Sequence, residues 1–513
     1  MLLVHVEEYL REAAARWPEK LALRDKTAAL TYAELYGQVR SAASLICERT
    51  GSARRQPIFV CITRSVQSVV LFLAAAVSGN CYVPVDLSLP RKRLLDMARV
   101  IRPVLLLTTE KCGEPCFDDL TPISYAEAVD FPVNDEVLAA QAARAMDTDP
   151  LYCIFTSGST GIPKAVCVAH RSVIDMVEAF SEAFPIDTDT VFGNQAPFDF
   201  DVSVKDIYLT LKHGATMTIL ERMLFSFPVR LIERLNDWGV NTLIWAVSAM
   251  KLTAELKAFE VVRPAALRLV MFSGEVMPTS VLASWKEASA ETLYVNLYGP
   301  TEITCNCTYH IIRRAYGPGE VIPIGRPFRN SGVFLLGEGG TVTTPGEIGE
   351  ICVCGTCLAL GYYNDPDRTA AAFCQSPVNS LWPEQIYRTG DLASYDEAGD
   401  LIFRGRADTQ VKHMGHRIEL AEIETAAQAG TGLTYVCCLF DEPTDKLWFF
   451  YQSKEDLKPQ LTAALKTRVP AFMMPARFVR LDKMPENRTG KIDRLSLRRN
   501  YMEAGGEVPA ARP

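Results

Sequence analysis

Tyr152-Cys-Ile-Phe-Thr-Ser-Gly-Ser-Thr-Gly-Ile-Pro-Lys164 says more about this chain than any other stretch. An apolar, strand-like run enters a loop at Thr156 and Ser157. Gly158 and Gly161 follow, with the hydroxyls of Ser159 and Thr160 between them, and the loop closes on Pro163 and Lys164. Glycines let backbone amides approach an anion, hydroxyls donate to phosphate oxygens, and a lysine adds charge. The loop is therefore read as a phosphate cradle. It is not of the Walker type, because Lys164 is followed by alanine rather than a hydroxyl residue and the glycine spacing differs. The competing reading, a flexible Ser/Gly surface loop, loses ground to the motifs that follow downstream.

Upstream of the loop, apolar runs alternate with helical patterns. Residues 57–63 and 81–86 read as buried strands, with a helix at 65–78 between them. A helical pattern over 90–100 precedes a strand at 104–109. This rhythm predicts stacked α/β units with largely parallel sheets. Near residues 406–415 the texture becomes charged and glycine-containing. The roughly 100 residues that follow have their own helix (420–428) and strands (434–440, 448–451), enough for a small α+β domain. The expected organisation is α/β, a large N-terminal domain of stacked α/β subdomains over 1–407 and a smaller mobile α+β domain over 408–505. A Gly/Pro/Ala-rich tail at 506–513 is expected to fray.

At 513 residues the chain exceeds a single core. Its 53 basic and 61 acidic residues leave a net charge of −8, which gives no electrostatic footprint for nucleic acid or an anionic membrane. The longest apolar run, 69–77, is far short of the roughly 20 residues of a membrane span. No signal peptide is evident at the N-terminus, so a cytoplasmic enzyme is expected. Among 15 cysteines, Cys352, Cys354 and Cys357 form C-x-C-x-x-C, and Cys112 and Cys116 lie four apart. Neither group has the second pair of ligands that structural zinc requires, so these cysteines are read as core residues and no zinc is expected.

Five further motifs complete the set. They are Asn296-Leu-Tyr-Gly-Pro-Thr-Glu302, Gly346-Glu-Ile-Gly-Glu350, Tyr387-Arg-Thr-Gly-Asp391, Gly405-Arg-Ala-Asp-Thr-Gln-Val-Lys412 running into Gly415-His-Arg-Ile-Glu-Leu420, and Asn487-Arg-Thr-Gly-Lys491. With Leu30-Thr-Tyr-Ala-Glu-Leu35 at the start and the loop at 156–164, the ordered series resembles the adenylate-forming superfamily. Within it, the chain is most similar to amino-acid adenylation domains of nonribosomal peptide synthesis and to D-alanine:carrier-protein ligases.

That resemblance implies a carboxylate attacking the α-phosphorus of ATP with departure of pyrophosphate, a reaction governed by charge neutralisation and positioning. It implies that Thr156, Ser157, Gly158, Ser159, Thr160, Gly161 and Lys164 hold the β- and γ-phosphates, and that Glu302 holds Mg²⁺. Tyr298 would stack on adenine, Asn296 contact its edge, and Asp391 accept from the ribose. Gly274, Glu275, Leu297, Gly299, Thr301 and Phe403 would complete the nucleotide site, with Arg406 near phosphate. Asp408 would be the hinge, and Lys491 the catalytic cation. A second half-reaction is implied, in which the small domain rotates and a phosphopantetheine thiol attacks the acyl-adenylate. Gly415 would line the thiol path, and His413 and His416 would either assist there or simply be solvated. Neither a condensation motif nor a carrier serine is seen, so the acceptor is expected to be a separate carrier protein or coenzyme A.

The resemblance also assigns a substrate pocket. Asp201, in Phe200-Asp-Val-Ser-Val204, would pair with an amino group, with Phe200 as a gate; Asp199 is a second candidate if the segment is a strand. Val202, Lys205, Trp245, Met271, Ser273, Leu297, Cys305 and Asn306 would line the rest. Bulky Trp245, Met271 and Leu297 favour a small substrate side chain. Lys205 would meet either an acidic or polar substrate group or a protein partner such as Asp206. An acyl- or aryl-CoA ligase of the same superfamily, or a catalytically silent nucleotide-binding regulator, is the alternative.

Overall fold

The computed structural model describes residues 3–110, 113, 115–117, 119–158, 162–407, 410–485 and 492–503. Asp408, Ser159, Thr160, Gly161, Lys491 and the tail at 506–513 lie outside them. The chain clusters into two compact units. One comprises residues 1–87, 100–155 and 165–407; the other comprises 88–99, 156–164 and 408–513.

The larger unit is built on three sheets. Helix Tyr32–Arg49 starts at the Leu30-Thr-Tyr-Ala-Glu motif for a local reason. The Glu34 amide donates to Thr31 Oγ1 (3.3 Å) and the Thr31 amide to Glu34 Oε2 (2.8 Å), a capping box that satisfies two otherwise orphan donors. The strands read from sequence are present at Pro57–Cys61, Cys81–Val85 and Leu105–Thr108, in parallel register within a seven-stranded sheet. Between the first two, helix Val66–Val77 is apolar all round, and eleven of its residues are buried. Strand Pro150–Thr156 belongs to the same sheet and leads into the glycine loop.

A nine-stranded sheet carries the second half of the unit. Six of its strands run parallel, Leu21–Arg24, Thr216–Ile219, Val191–Asn194, Thr242–Ala246, Leu269–Ser273 and Leu293–Tyr298, and antiparallel strands flank them. Helix Val202–His213 ends at Gly214, whose φ of 60° is left-handed. A Cβ there would sit 2.2 Å from the Trp17 ring, so only glycine fits. The third, mainly antiparallel sheet holds Gly349–Gly355, Gln385–Tyr395 and Leu401–Arg406. Cys352, on the first of these strands, is fully buried as a core residue, and Cys357 is buried just beyond.

The smaller unit contains helix Leu420–Thr431 and a three-stranded sheet of Val436–Asp441, Lys446–Gln452 and Arg477–Leu481. A hairpin, Gln410–His413 with His416–Glu419, turns on Met414 (φ 53°) and Gly415 (φ 80°), the paired positive φ values that suit a tight two-residue turn. Its apolar core gathers Ile418, Ile423, Phe449, Leu461 and Leu465. Among the described residues no helix is long and apolar enough to cross a membrane.

Candidate active site

In the larger unit, three motifs meet at one carboxylate. Strands Gln385–Tyr395 and Leu401–Arg406 pair so that Asp391 lies directly opposite Arg406. The Arg406 guanidinium is ion-paired to Asp391 Oδ1 and also donates to the Thr389 carbonyl (3.2 Å). Tyr298, at the end of its parallel strand, donates its hydroxyl to Asp391 Oδ2 (2.6 Å). Arg406, expected near phosphate, is thus tied to Asp391. Each carboxylate oxygen keeps a second lone pair, so the acidic group can still accept from another hydroxyl. The Phe403 ring lies 6.4 Å from that of Tyr298 at a tilt of 41°. Asn296, buried on the same strand as Tyr298, donates to the Pro323 carbonyl (2.8 Å).

The turn after Tyr298 is close-packed. A Cβ on Gly299 would meet the Asn306 backbone at 2.6 Å. Thr301 and Glu302 form a short 3₁₀ turn, after which Thr304 and Cys305 take φ values of 57° and 76°. Two successive non-glycine residues in the left-handed region are costly and need support. Thr304 Oγ1 supplies part of it by donating to the Cys357 carbonyl (2.8 Å). Glu302 is fully buried and accepts from the Tyr362 hydroxyl (2.8 Å). A buried carboxylate is the donor type that suits a hard divalent cation.

Asp199, Phe200 and Asp201 form a turn leading into helix Val202–His213 rather than a strand, which removes the alternation that would have put both acids on one face. Asp201 sits at the helix N-cap without making a side-chain cap. Burial pushes its carboxyl above the usual range, while the charge of Lys205 and a hydrogen bond from Thr301 pull it back. Asp199 is pushed up to about 6, chiefly by burial and also by the like charge of Asp86. Lys205 is fully buried and donates to Asn306 Oδ1, so its hydrogen-bond partner is an amide rather than Asp206. Burial lowers the Lys205 ammonium, with Cys305, Asp201 and Asp206 opposing. Asp206 accepts from Asn194 (2.8 Å) and is pushed up to about 7, mainly by burial. Cys305 Sγ donates to the Asp201 carbonyl (2.8 Å), which ties the strained turn to the head of the helix.

Trp245, expected to line the substrate pocket, is turned away from Met271 on the neighbouring strand. Its strand pairs with Leu269–Ser273 in a register that matches Trp245 with Phe272, and Ile244 with Met271. Trp245 and Phe272 point into a separate core that includes Trp285; the Trp245 indole donates to the Gly193 carbonyl (2.7 Å) and meets Trp285 edge-on. Ile244, paired with Met271, belongs instead to the large apolar cluster that also holds Leu297 and Cys305. Ser273 is buried and Val202 is half-buried.

The glycine loop belongs to the smaller unit. Ser157 Oγ donates to the Arg417 carbonyl (2.8 Å) and accepts from the Glu419 amide (3.2 Å). The Gly158 amide donates to Glu422 Oε2 (3.3 Å), and the other oxygen of Glu422 pairs with Arg93. A Cβ on Gly158 would lie 2.1 Å from the Ile162 carbonyl oxygen, so the loop closes only on glycine. Thr156 Oγ1 is buried with no hydrogen-bond partner among the described residues, and Lys164 is buried at the start of strand Lys164–Ala169. Gly274 has a φ of 100° beyond its strand. Neither histidine of the hairpin is free in solvent: His413 pairs with Asp445 (2.9 Å), and His416 stacks on Phe472 at 3.5 Å. Arg93, Glu422, Tyr362 and Ile244 were not singled out from the sequence.

Residues 10–363 match the family model described as "AMP-binding enzyme". The chain is 31% identical over 503 residues to D-alanine--D-alanyl carrier protein ligase of Bacillus licheniformis, covering 96% of this chain and 98% of that protein. It is 30% identical over 520 residues to tyrocidine synthase 1 of Brevibacillus parabrevis; this covers 99% of this chain but spans 46% of the relative's length. The structure of holo-PA1221, a nonribosomal peptide synthetase protein with adenylation and peptidyl-carrier domains, superposes with a TM-score of 0.83 at 26% identity, covering 97% of this chain and 84% of that one.

Proposed function

Because the chain belongs to the AMP-binding family of adenylate-forming enzymes, we propose that it activates an α-amino acid as its aminoacyl-adenylate and passes the aminoacyl group to a carrier-protein thiol. The observation that carries the amino-acid reading is Asp201. It is a buried carboxylate at a helix N-terminus that accepts from Thr301 and the Val202 amide, while Lys205, whose charge acts on it, is held by Asn306. A desolvated acid of this kind recognises an ammonium strongly and penalises a substrate that lacks one.

In the first half-reaction the substrate carboxylate attacks the α-phosphorus and the bond to pyrophosphate breaks. Thr156, Ser157, Gly158 and Lys164 would hold the phosphates through hydroxyl, amide and ammonium donors. Glu302 would hold Mg²⁺, which supplies charge neutralisation to the phosphates when bound. Asp391 would accept from the ribose beside the Tyr298 and Phe403 rings. Lys491, outside the described residues, would neutralise the incoming carboxylate, with Asp408 as the pivot between the half-reactions. The substrate would be small, or polar enough to meet Lys205 and Asn306.

ATP–pyrophosphate exchange across D- and L-amino acids, each beside its des-amino analogue, tests the reading. Exchange with one amino acid and little with its analogue supports it. Equal exchange with both returns the chain to the acyl-CoA ligase alternative. Undiminished exchange in Lys491→Ala would remove the catalytic assignment.

A further inference from the structure

Two of the donors that the glycine loop would offer a nucleotide, the Ser157 hydroxyl and the Gly158 amide, are already in use. Ser157 gives its hydroxyl hydrogen to the Arg417 carbonyl and its lone pair to the Glu419 amide, and the Gly158 amide points at Glu422. Opposite that amide stands a carboxylate with a guanidinium behind it, and Arg93 and Glu422 are both buried. A backbone N–H facing an oxyanion backed by a cation is the chemistry of an occupied anion site. Arg93 lies 329 residues before Glu422. A buried ion pair of that kind stabilises little by itself, yet leaving either partner alone is costly, so its presence points to a switching role.

We propose that Glu422 is a positioning residue that competes with the triphosphate for the glycine loop. Its carboxylate takes the Gly158 amide once the β- and γ-phosphates have gone, and gives it up when ATP returns. This rests on the loop being the phosphate site. Pyrophosphate release and engagement of helix Leu420–Thr431 on the loop are then two sides of one exchange of anions. While Glu422 is engaged, pyrophosphate cannot readily re-enter to attack the adenylate phosphorus and regenerate ATP and free amino acid. The adenylate is thereby committed to the thiol. Burial pushes the Glu422 carboxyl upward and the Arg93 guanidinium opposes it.

Titration calorimetry of the full chain with ATP tests this without knowledge of the amino acid. Glu422→Gln keeps the shape but removes the charge that competes with phosphate, and ATP should bind about tenfold more tightly, equivalent to about 1.4 kcal/mol. Arg93→Met should act in the same direction, and it carries the test if the first variant fails to fold. The double variant should gain little beyond either, because both act through one contact. With an amino acid active in exchange, the apparent KM for pyrophosphate should fall by a similar factor, while transfer to free pantetheine slows. Lys164→Ala separates the two readings. If it leaves ATP affinity unchanged, the loop does not hold phosphate and the premise fails. If it weakens ATP while Glu422→Gln and Arg93→Met bind as the parent does, Glu422 does not compete and the proposal is overturned.

Discussion

Asp201→Asn is the sharpest test of substrate class. The substitution is nearly isosteric and removes one negative charge from a carboxyl that is 9% exposed, accepts from Thr301 and the Val202 amide, and feels the charge of Lys205. Burial raises the Asp201 carboxyl, so the fold is working against its charge, and neutralising it should leave thermal stability unchanged or slightly higher. Catalysis should respond in the opposite sense. Breaking a buried ion pair by removing one partner costs roughly 3–5 kcal/mol, which corresponds to about 10²- to 10⁴-fold in kcat/KM. That loss should fall on the amino acid and not on its des-amino analogue, whose exchange should stay within a few-fold of the parent value. The assay is ATP–pyrophosphate exchange with both acids, with a melting curve on the same preparations. An Asp201→Asn protein that melts normally and exchanges the amino acid within threefold of the parent would refute the pairing. Equal losses for both acids would show that Asp201 shapes the pocket rather than reading the amine.

Four other outcomes follow from the geometry. Asp206 is held at about 7 when folded against an ordinary carboxylate value when unfolded, so its contribution to stability is complete at acid pH and is lost as pH rises through 7. Asp206→Asn should therefore melt higher than the parent at pH 8, with the advantage closing towards pH 4. Tyr298→Phe removes the donor to Asp391 Oδ2 and should cost roughly 1.5–3 kcal/mol of stability by denaturant titration. It keeps the ring, so the KM for ATP should rise less than in Asp391→Asn. Gly158→Ala forces a Cβ to within 2.1 Å of the Ile162 carbonyl oxygen, and exchange activity should fall by orders of magnitude with little change in melting temperature. Trp245→Ala should destabilise by roughly 3–5 kcal/mol without reordering preferred amino acids, whereas Met271→Leu, costing less than about 1.5 kcal/mol, should reorder them in an exchange screen.

Much of the α/β class was legible because its signals are local. The apolar run at 57–63 and the helix at 65–78 follow from periodicity, and they appear as Pro57–Cys61 and Val66–Val77. The capping box at Thr31 and Glu34 explains a motif that resemblance alone would only have labelled. The loop chemistry at Thr156–Gly158 is similarly written in residue type. The structure adds most where direction rather than identity matters. Trp245 occupies a motif position, yet pairing with Phe272 turns it to the face of the sheet opposite Met271. Asp199 and Asp201 were compared as strand neighbours, but the chain there turns into a helix.

The sequence alone determined the family, the alternating architecture and the residue types at each chemical station, since these depend on neighbours a few positions apart. Only the tertiary structure decided which polar groups meet. Lys205 finds Asn306 across 101 residues, Tyr298 finds Asp391 across 93, and Gly158 finds Glu422 across 264. A buried donor must be satisfied by whatever the fold brings to it, and no local pattern encodes a partner that distant.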